Sequence, residues 1–179
     1  RQQAIENKPY LPILSAASLG QSLAVVQRVS GERNGQRYVM LFQLEVEPGR
    51  LVMVGSTAAG NTLFSLSYES NTMETEVSPL IPAAVDPAFV LADVQLPFWP
   101  LAKIEQALVG SDYSVRSVGG ERQLLKNDQL LVRINYSGNN INTKNSWPHM
   151  AELNNLQWNY SYQIETLSIE QLSREKNSY

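Results

Sequence analysis

Hydrophobic and polar residues alternate along most of the chain, a pattern typical of strands that bury one face. In residues 38–47, the alternate positions Tyr38, Met40, Phe42, Leu44 and Val46 share one face. Similar alternation predicts strands over about 21–31, 51–55, 62–69 and 72–78, with turns at Asn34-Gly35 and Pro48-Gly49. The first half of the chain is therefore predicted to be a meander of about five antiparallel strands.

The pattern changes between residues 79 and 100, where five of the nine prolines lie. Proline has a fixed φ and lacks a backbone donor, so this segment is not predicted as a central strand. Asp86-Pro87 has the order of a helix N-terminus and predicts a short helix over 88–92. Residues 96–100 are predicted as a stiff apolar linker, and residues 101–109 as a second helix.

Strand patterns return after the second predicted helix. Residues 113–118, 122–126 and 129–136 predict a second meander, and an asparagine-rich loop follows over 137–146. A last strand is predicted over 156–166, in which Leu156, Trp158, Tyr160, Tyr162 and Ile164 share a face. The chain is divided into an irregular linker (1–20), one domain (21–168) and a polar tail (169–179).

Composition excludes several classes of function. The 179 residues contain 14 basic and 17 acidic side chains, a net charge of −3, so a phosphate-neutralising nucleic-acid surface is not expected. The chain has no cysteine, which excludes disulfides, thiolate metal sites and cysteine nucleophiles. His149 is the single histidine, which excludes a metal site with two histidines, and no metal or cofactor is predicted. The hydrophobic fraction of 43% is enough for a core.

Local motifs for catalysis are weak. Residues 55–62 lack the lysine of a phosphate-binding P-loop, and a strand pattern follows them where the motif needs a helix. His149 lies in a loop, and the chain contains no Gly-x-Ser-x-Gly motif. The acidic pairs Glu45/Glu47 and Glu74/Glu76 lie opposite apolar faces, which is typical of a solvated outer face. The sequence therefore predicts a protein that is not an enzyme.

The remaining signal is the apolar face that several strands share. It predicts either an ordinary packed core or a curved sheet whose concave face leaves room for an acyl chain or lipid. The members of this predicted cavity are Met40, Phe42, Leu44, Phe64, Leu66, Leu96, Phe98, Trp99, Trp158 and Tyr160. Phe98 and Trp99 are expected to face the interior, because the neighbouring prolines hold them with little backbone freedom.

The order of elements resembles that of LolB, the outer-membrane lipoprotein receptor, and of its periplasmic carrier relative LolA. The resemblance covers roughly residues 20–166 and rests on the order of elements and on diffuse apolar matches. In order, the matching segments are 51–54, the turn ending at Gly60, 62–66, the run 96–101 with its helix to 110, 113–115 and the hairpin 123–136. The order of elements is similar also to that of an uncharacterised family of proteobacterial LolB-like lipoproteins. It implies an α+β fold: an open antiparallel β-barrel of about ten strands, with two short helices over about 84–109 as a lid.

The resemblance also implies a function and a location. It implies non-enzymatic binding or transfer of a lipid or acylated molecule at the periplasmic face of the outer membrane, with a periplasmic carrier as a possible partner. Ala58 and Ala59 fall in the turn that faces the membrane in LolB, and Ala59 stands where LolB has an exposed leucine. The chain begins at Arg1, so a signal peptide and a lipid-modified cysteine are expected upstream. The alternative is a structural or protein-interaction module with a fully packed core.

Overall fold

The computed structural model describes residues 9–33, 35–80, 86–141, 143 and 146–172. Its strands are β1 (Leu23–Arg33), β2 (Gln36–Glu47), β3 (Arg50–Ser56), β4 (Thr62–Glu69), β5 (Thr72–Val77), β6 (Tyr113–Val118), β7 (Glu121–Lys126), β8 (Gln129–Ser137), β9 (Met150–Asn155) and β10 (Tyr160–Gln171). Its helices are a 3₁₀ turn (Ala16–Leu19), α1 (Pro87–Phe98) and α2 (Leu101–Leu108). No helix within the described ranges has the length and apolar character needed to cross a bilayer.

All ten strands belong to one antiparallel sheet in the order β5-β4-β3-β2-β1-β10-β9-β8-β7-β6. Each half of the chain forms a meander of five strands, and the two meanders join where β1 pairs with β10. The sheet does not close on itself, because β5 and β6 are its two edges and the helices connect them. The predicted α+β fold, an open antiparallel barrel of about ten strands with two helices, is confirmed.

One face of the sheet is buried and the other is largely exposed. On β2, Phe42, Leu44 and Val46 are buried while the residues between them are exposed, as strand alternation requires. The buried members of β1, β3 and β4 lie in register with them, since Val25 pairs with Leu44 and Leu44 pairs with Met53. We call the buried side the interior face.

Helix α1 differs from the sequence prediction. The segment Leu96 to Phe98, predicted as part of a stiff apolar linker, forms the last turn of one 12-residue helix. Pro97 lies one residue before the end of the helix, so its missing N–H removes a single backbone hydrogen bond. The helix begins as predicted, with the Asp86 carboxylate accepting from the Ala88 N–H at 2.9 Å.

The last predicted strand is also corrected. Residues 156–159 form a turn between β9 and β10, and β9 was not predicted. The Asn155 side chain accepts from the Trp158 N–H at 2.9 Å, and Asn159 has a positive φ of 53°. Both features are typical of a tight turn, which the alternation of Leu156 and Trp158 concealed. In the predicted first hairpin, Asn34 lies outside the described residues, and Gly35 has a φ of 75°.

Candidate functional site

The interior face carries most of the apolar residues that the sequence assigned to a cavity. Phe42 and Leu44 on β2 and Phe64 and Leu66 on β4 are buried on the two strands that flank β3, and Met40 is half-buried. The rings of Phe42 and Phe64 meet edge to face with centroids 5.8 Å apart. Gly55 lies between them in register, and a Cβ there would overlap the Phe64 ring. A glycine is therefore needed for this pair of rings to pack.

Helix α1 covers this interior face. It packs against β4 and β9, and every residue from Leu91 to Trp99 is buried. Apart from Asp93 and Gln95, the residues of this helix are apolar, which is typical of an element enclosed within a protein rather than lying on its surface. Phe98 stacks on Trp147 with ring centroids 5.0 Å apart and an 18° angle between the planes. Thus an entire helix, rather than a layer of side chains alone, fills the open side of the sheet.

A segment before the first strand holds α1 in place. We call residues 9–20 the strap. The Gln95 side chain makes two hydrogen bonds with the backbone of Leu14: its Oε1 accepts from the Leu14 N–H at 2.9 Å, and its Nε2 donates to the Leu14 carbonyl at 3.0 Å. The Trp99 Nε1–H donates to the Ser18 hydroxyl at 3.1 Å. These bonds satisfy polar groups that would otherwise be buried without a partner.

Asp93 is a buried carboxylate on the same helix. It accepts from the hydroxyl of Tyr160 on β10 at 2.8 Å and from the hydroxyl of Tyr10 in the strap. Burial raises the pKa of Asp93 to about 6, because water no longer solvates the ionised form, and the two hydroxyl donors offset part of the increase. Burial likewise raises the pKa of Tyr10 and of Tyr160, so both remain neutral donors.

The C-terminal end of α1 is held from the opposite side, by the second meander. Arg122 Nη1 donates to the carbonyls of Leu96, Pro97 and Trp99 at 2.7, 3.1 and 2.8 Å. The Tyr136 hydroxyl also donates to the Pro97 carbonyl at 2.6 Å. A cation and donors at this position satisfy carbonyls that have no partner within the helix and complement the negative end of its dipole.

The structure separates the predicted cavity residues into two groups. Leu96, Phe98, Trp99 and Tyr160 are buried against the interior face. Trp158 is 42% exposed, because it lies in the β9–β10 turn, where its ring contacts Phe89 at a centroid distance of 5.8 Å. Trp158 or Tyr160 was expected opposite Phe98 and Trp99, and of these two residues Tyr160 is the buried one.

Sequence reasoning missed the strap, Asp93, Gln95 and Arg122. One signal was present: Asp93 and Gln95 are two polar residues within the apolar run 87–99. Polar residues in an element without a polar face are expected to have specific partners. These partners are distant in sequence: Leu14, the partner of Gln95, lies 81 positions away in the chain. No local pattern therefore identifies them.

Other candidate chemistry is not assembled into a site. Glu45, Glu47, Glu74 and Glu76 are exposed. Residues 55–62 form the end of β3 and the β3–β4 turn, where Ala58 and Ala59 are exposed, and no helix N-terminus follows. Across the described part of the chain, no three histidine, aspartate or glutamate side chains cluster as a metal site would require.

Residues 24–168 match a family described as a protein of unknown function, DUF3261. The chain belongs to this family. A search of curated proteins finds no relative of this DUF3261 chain.

Solved structures of similar fold include three that share little sequence with the DUF3261 chain. A LolA superfamily protein from Nitrosomonas europaea is 10% identical, with a TM-score of 0.49 and coverage of 88% of this chain and 90% of that one. An outer membrane lipoprotein-sorting protein domain from Vibrio parahaemolyticus is 10% identical, with a TM-score of 0.46 and 88% coverage of each chain. The Pseudomonas aeruginosa MucA/MucB complex matches at 15% identity and a TM-score of 0.46, over 88% of this chain and 54% of that one. LolA-superfamily and lipoprotein-sorting proteins, which the order of elements suggested, are thus among the matched structures.

Proposed function

We propose that this DUF3261 chain binds a lipid or an acylated molecule on the interior face of its sheet, without catalysing a reaction. One observation carries the proposal: the open side of the sheet is filled by a largely buried helix whose residues are apolar except for Asp93 and Gln95. An acyl chain that displaced α1 would meet the apolar surface that the helix now covers. In this proposal α1 occupies the site in the unliganded protein and moves aside on binding.

A second candidate function is favoured by the burial itself. Leu96 and Trp99 are fully buried, and the strap and Arg122 satisfy the polar groups of α1. A structural or protein-interaction module with a permanently packed core would show the same contacts. The two candidates differ in whether α1 leaves the interior face at a measurable population.

The location belongs to the same proposal. We place the protein at the periplasmic side of the outer membrane, held by an N-terminal lipid anchor, with a periplasmic carrier protein delivering its ligand. The exposed Ala58–Ala59 turn would face the membrane. The methyl group of Ala59 buries less apolar area than the leucine of LolB, and the difference in transfer free energy is about 2 kcal/mol. The gene should encode a signal peptide and a lipobox cysteine before Arg1; a plain initiator methionine without an apolar segment would contradict this location.

Native mass spectrometry of the purified protein, followed by titration with a fluorescent acyl probe, tests the binding. Co-purified fatty acid or phospholipid, or saturable binding of the probe, is the expected result. A clean mass of the protein alone, with no probe binding, would leave only the packed module.

The variant Gln95→Leu tests whether α1 competes with the ligand. It replaces the amide by an apolar side chain of similar size and removes both hydrogen bonds to Leu14, so the helix should leave the interior face more often. Apparent affinity rises in proportion to the population that is competent to bind, and we expect an increase of about tenfold. Gln106→Leu, the same substitution at an exposed position of α2, is the matched control and should bind as the wild type does. A helix that never leaves would give equal probe binding for both variants.

A further inference from the structure

A small polar cluster lies within the apolar interior face, beneath the end of α1. Gln27 on β1 and Thr166 on β10 are neighbours across the two strands, and Trp147 precedes β9. The Trp147 Nε1–H donates to the Thr166 hydroxyl at 3.0 Å, and the Gln27 Nε2 donates to the same oxygen at 3.4 Å. All three side chains are at least 97% buried. The cluster is therefore sealed from water.

One end of the Gln27 amide has no partner among the described residues. The Gln27 side chain is fully buried, and within this part of the chain its Oε1 accepts no hydrogen bond. Turning the amide by 180° would exchange the two ends, and the Nε2 would then lack a partner. An unpaired polar group in a buried position lowers stability, so retaining a glutamine here has a cost that an apolar residue would avoid.

The position of this group connects it to the proposed ligand site. Gln27 occupies an interior position of β1, in phase with Val25 and Val29, and it lies opposite Phe42 of β2. Phe98, the last residue of α1, stacks on Trp147, a member of the cluster. Displacement of α1 would therefore uncover the Trp147 ring, which lies next to Thr166 and Gln27 on an otherwise apolar surface.

We propose that Gln27, with Thr166 and Trp147 beside it, binds a hydroxyl group on the acyl chain of the ligand. A hydroxyl both donates and accepts, so it satisfies the free end of the amide in either orientation. The ligand class is therefore a hydroxylated acyl chain rather than a plain one. This inference rests on the proposed function, because it requires a ligand on the interior face.

The test compares plain tetradecanoic acid with its 3-hydroxy derivative, by displacement of a fluorescent acyl probe from the full chain. The wild type should prefer the hydroxylated acid by about tenfold, the effect of one net hydrogen bond in a buried site. Gln27→Met has a similar length and no hydrogen-bonding end, so it should bind both acids with equal affinity. Gln43→Met, the same change on the outer face of β2, should keep the wild-type preference.

Three results would overturn the inference, and they differ in what else they refute. Equal binding of both acids by the wild type would mean that the cluster is structural or holds water, while the proposed acyl site would stand. A wild-type preference that persists in Gln27→Met would move hydroxyl recognition to another residue. Binding of neither acid would refute the proposed function as well. The wild-type comparison needs no variant, so the inference stays testable even if Gln27→Met does not fold.

Discussion

Removing the charge of Asp93 should change how the stability of the protein depends on pH. Asp93 is buried on α1 between the hydroxyls of Tyr10 and Tyr160, and burial raises its pKa to about 6. In the unfolded chain the same group should titrate near pH 3.9. The folded state therefore holds the proton more tightly than the unfolded state does.

The sign and size of the effect follow from this difference. Between about pH 4 and pH 6 the folded protein binds more protons than the unfolded chain, so the free energy of unfolding falls as pH rises. Each unit of pKa difference corresponds to about 1.4 kcal/mol, so a difference of about two units gives a loss of ~3 kcal/mol. The stabilisation is complete below about pH 4 and is lost once pH rises above about 6.

Urea unfolding of the wild type and Asp93→Asn at half-unit steps from pH 4 to pH 7.5 measures the effect. The wild type should lose ~3 kcal/mol relative to the variant over this range, because asparagine does not titrate while all other groups are shared. Asp86→Asn, at the exposed N-cap of the same helix, controls for the removal of one negative charge. Parallel curves for wild type and Asp93→Asn would refute the raised pKa. A wild type that gains stability with pH would mean that the tyrosine hydrogen bonds outweigh burial.

Two further substitutions test the packing around the helix and the sheet. Arg122→Met removes the donor to carbonyls at the end of α1 and should lower the free energy of unfolding, measured by chemical denaturation, by about 2 kcal/mol. The control Arg133→Met, on the exposed face, should have a smaller effect. Gly55→Ala places a methyl group against the Phe64 ring and should cost about 1–3 kcal/mol, while Gly49→Ala, in an open turn, should leave the melting temperature nearly unchanged; equal effects would contradict the close contact.

The alternation of apolar residues was enough to predict most strands of the sheet, although not β9 or the start of β10. Strand β2 and the Phe64–Leu66 strand follow the two-residue period, because each buries one face and exposes the other. The helix start at Asp86-Pro87 was also predictable, since a capping carboxylate followed by proline is a local signal. Where a residue's surroundings depend on its neighbours in sequence, the pattern was sufficient.

The tertiary structure alone decided how the interior is filled. The bonds from Gln95 to Leu14 and from Arg122 to the Leu96 carbonyl join residues 81 and 26 positions apart. The bond from Gln27 to Thr166, which satisfies only one end of the Gln27 amide, joins residues 139 positions apart. Such partners are set by the three-dimensional meeting of elements and leave no periodic trace in the sequence. The extent of α1 was misjudged for the same reason: packing on all sides stabilises a helix through Pro97, although local propensity opposes one there.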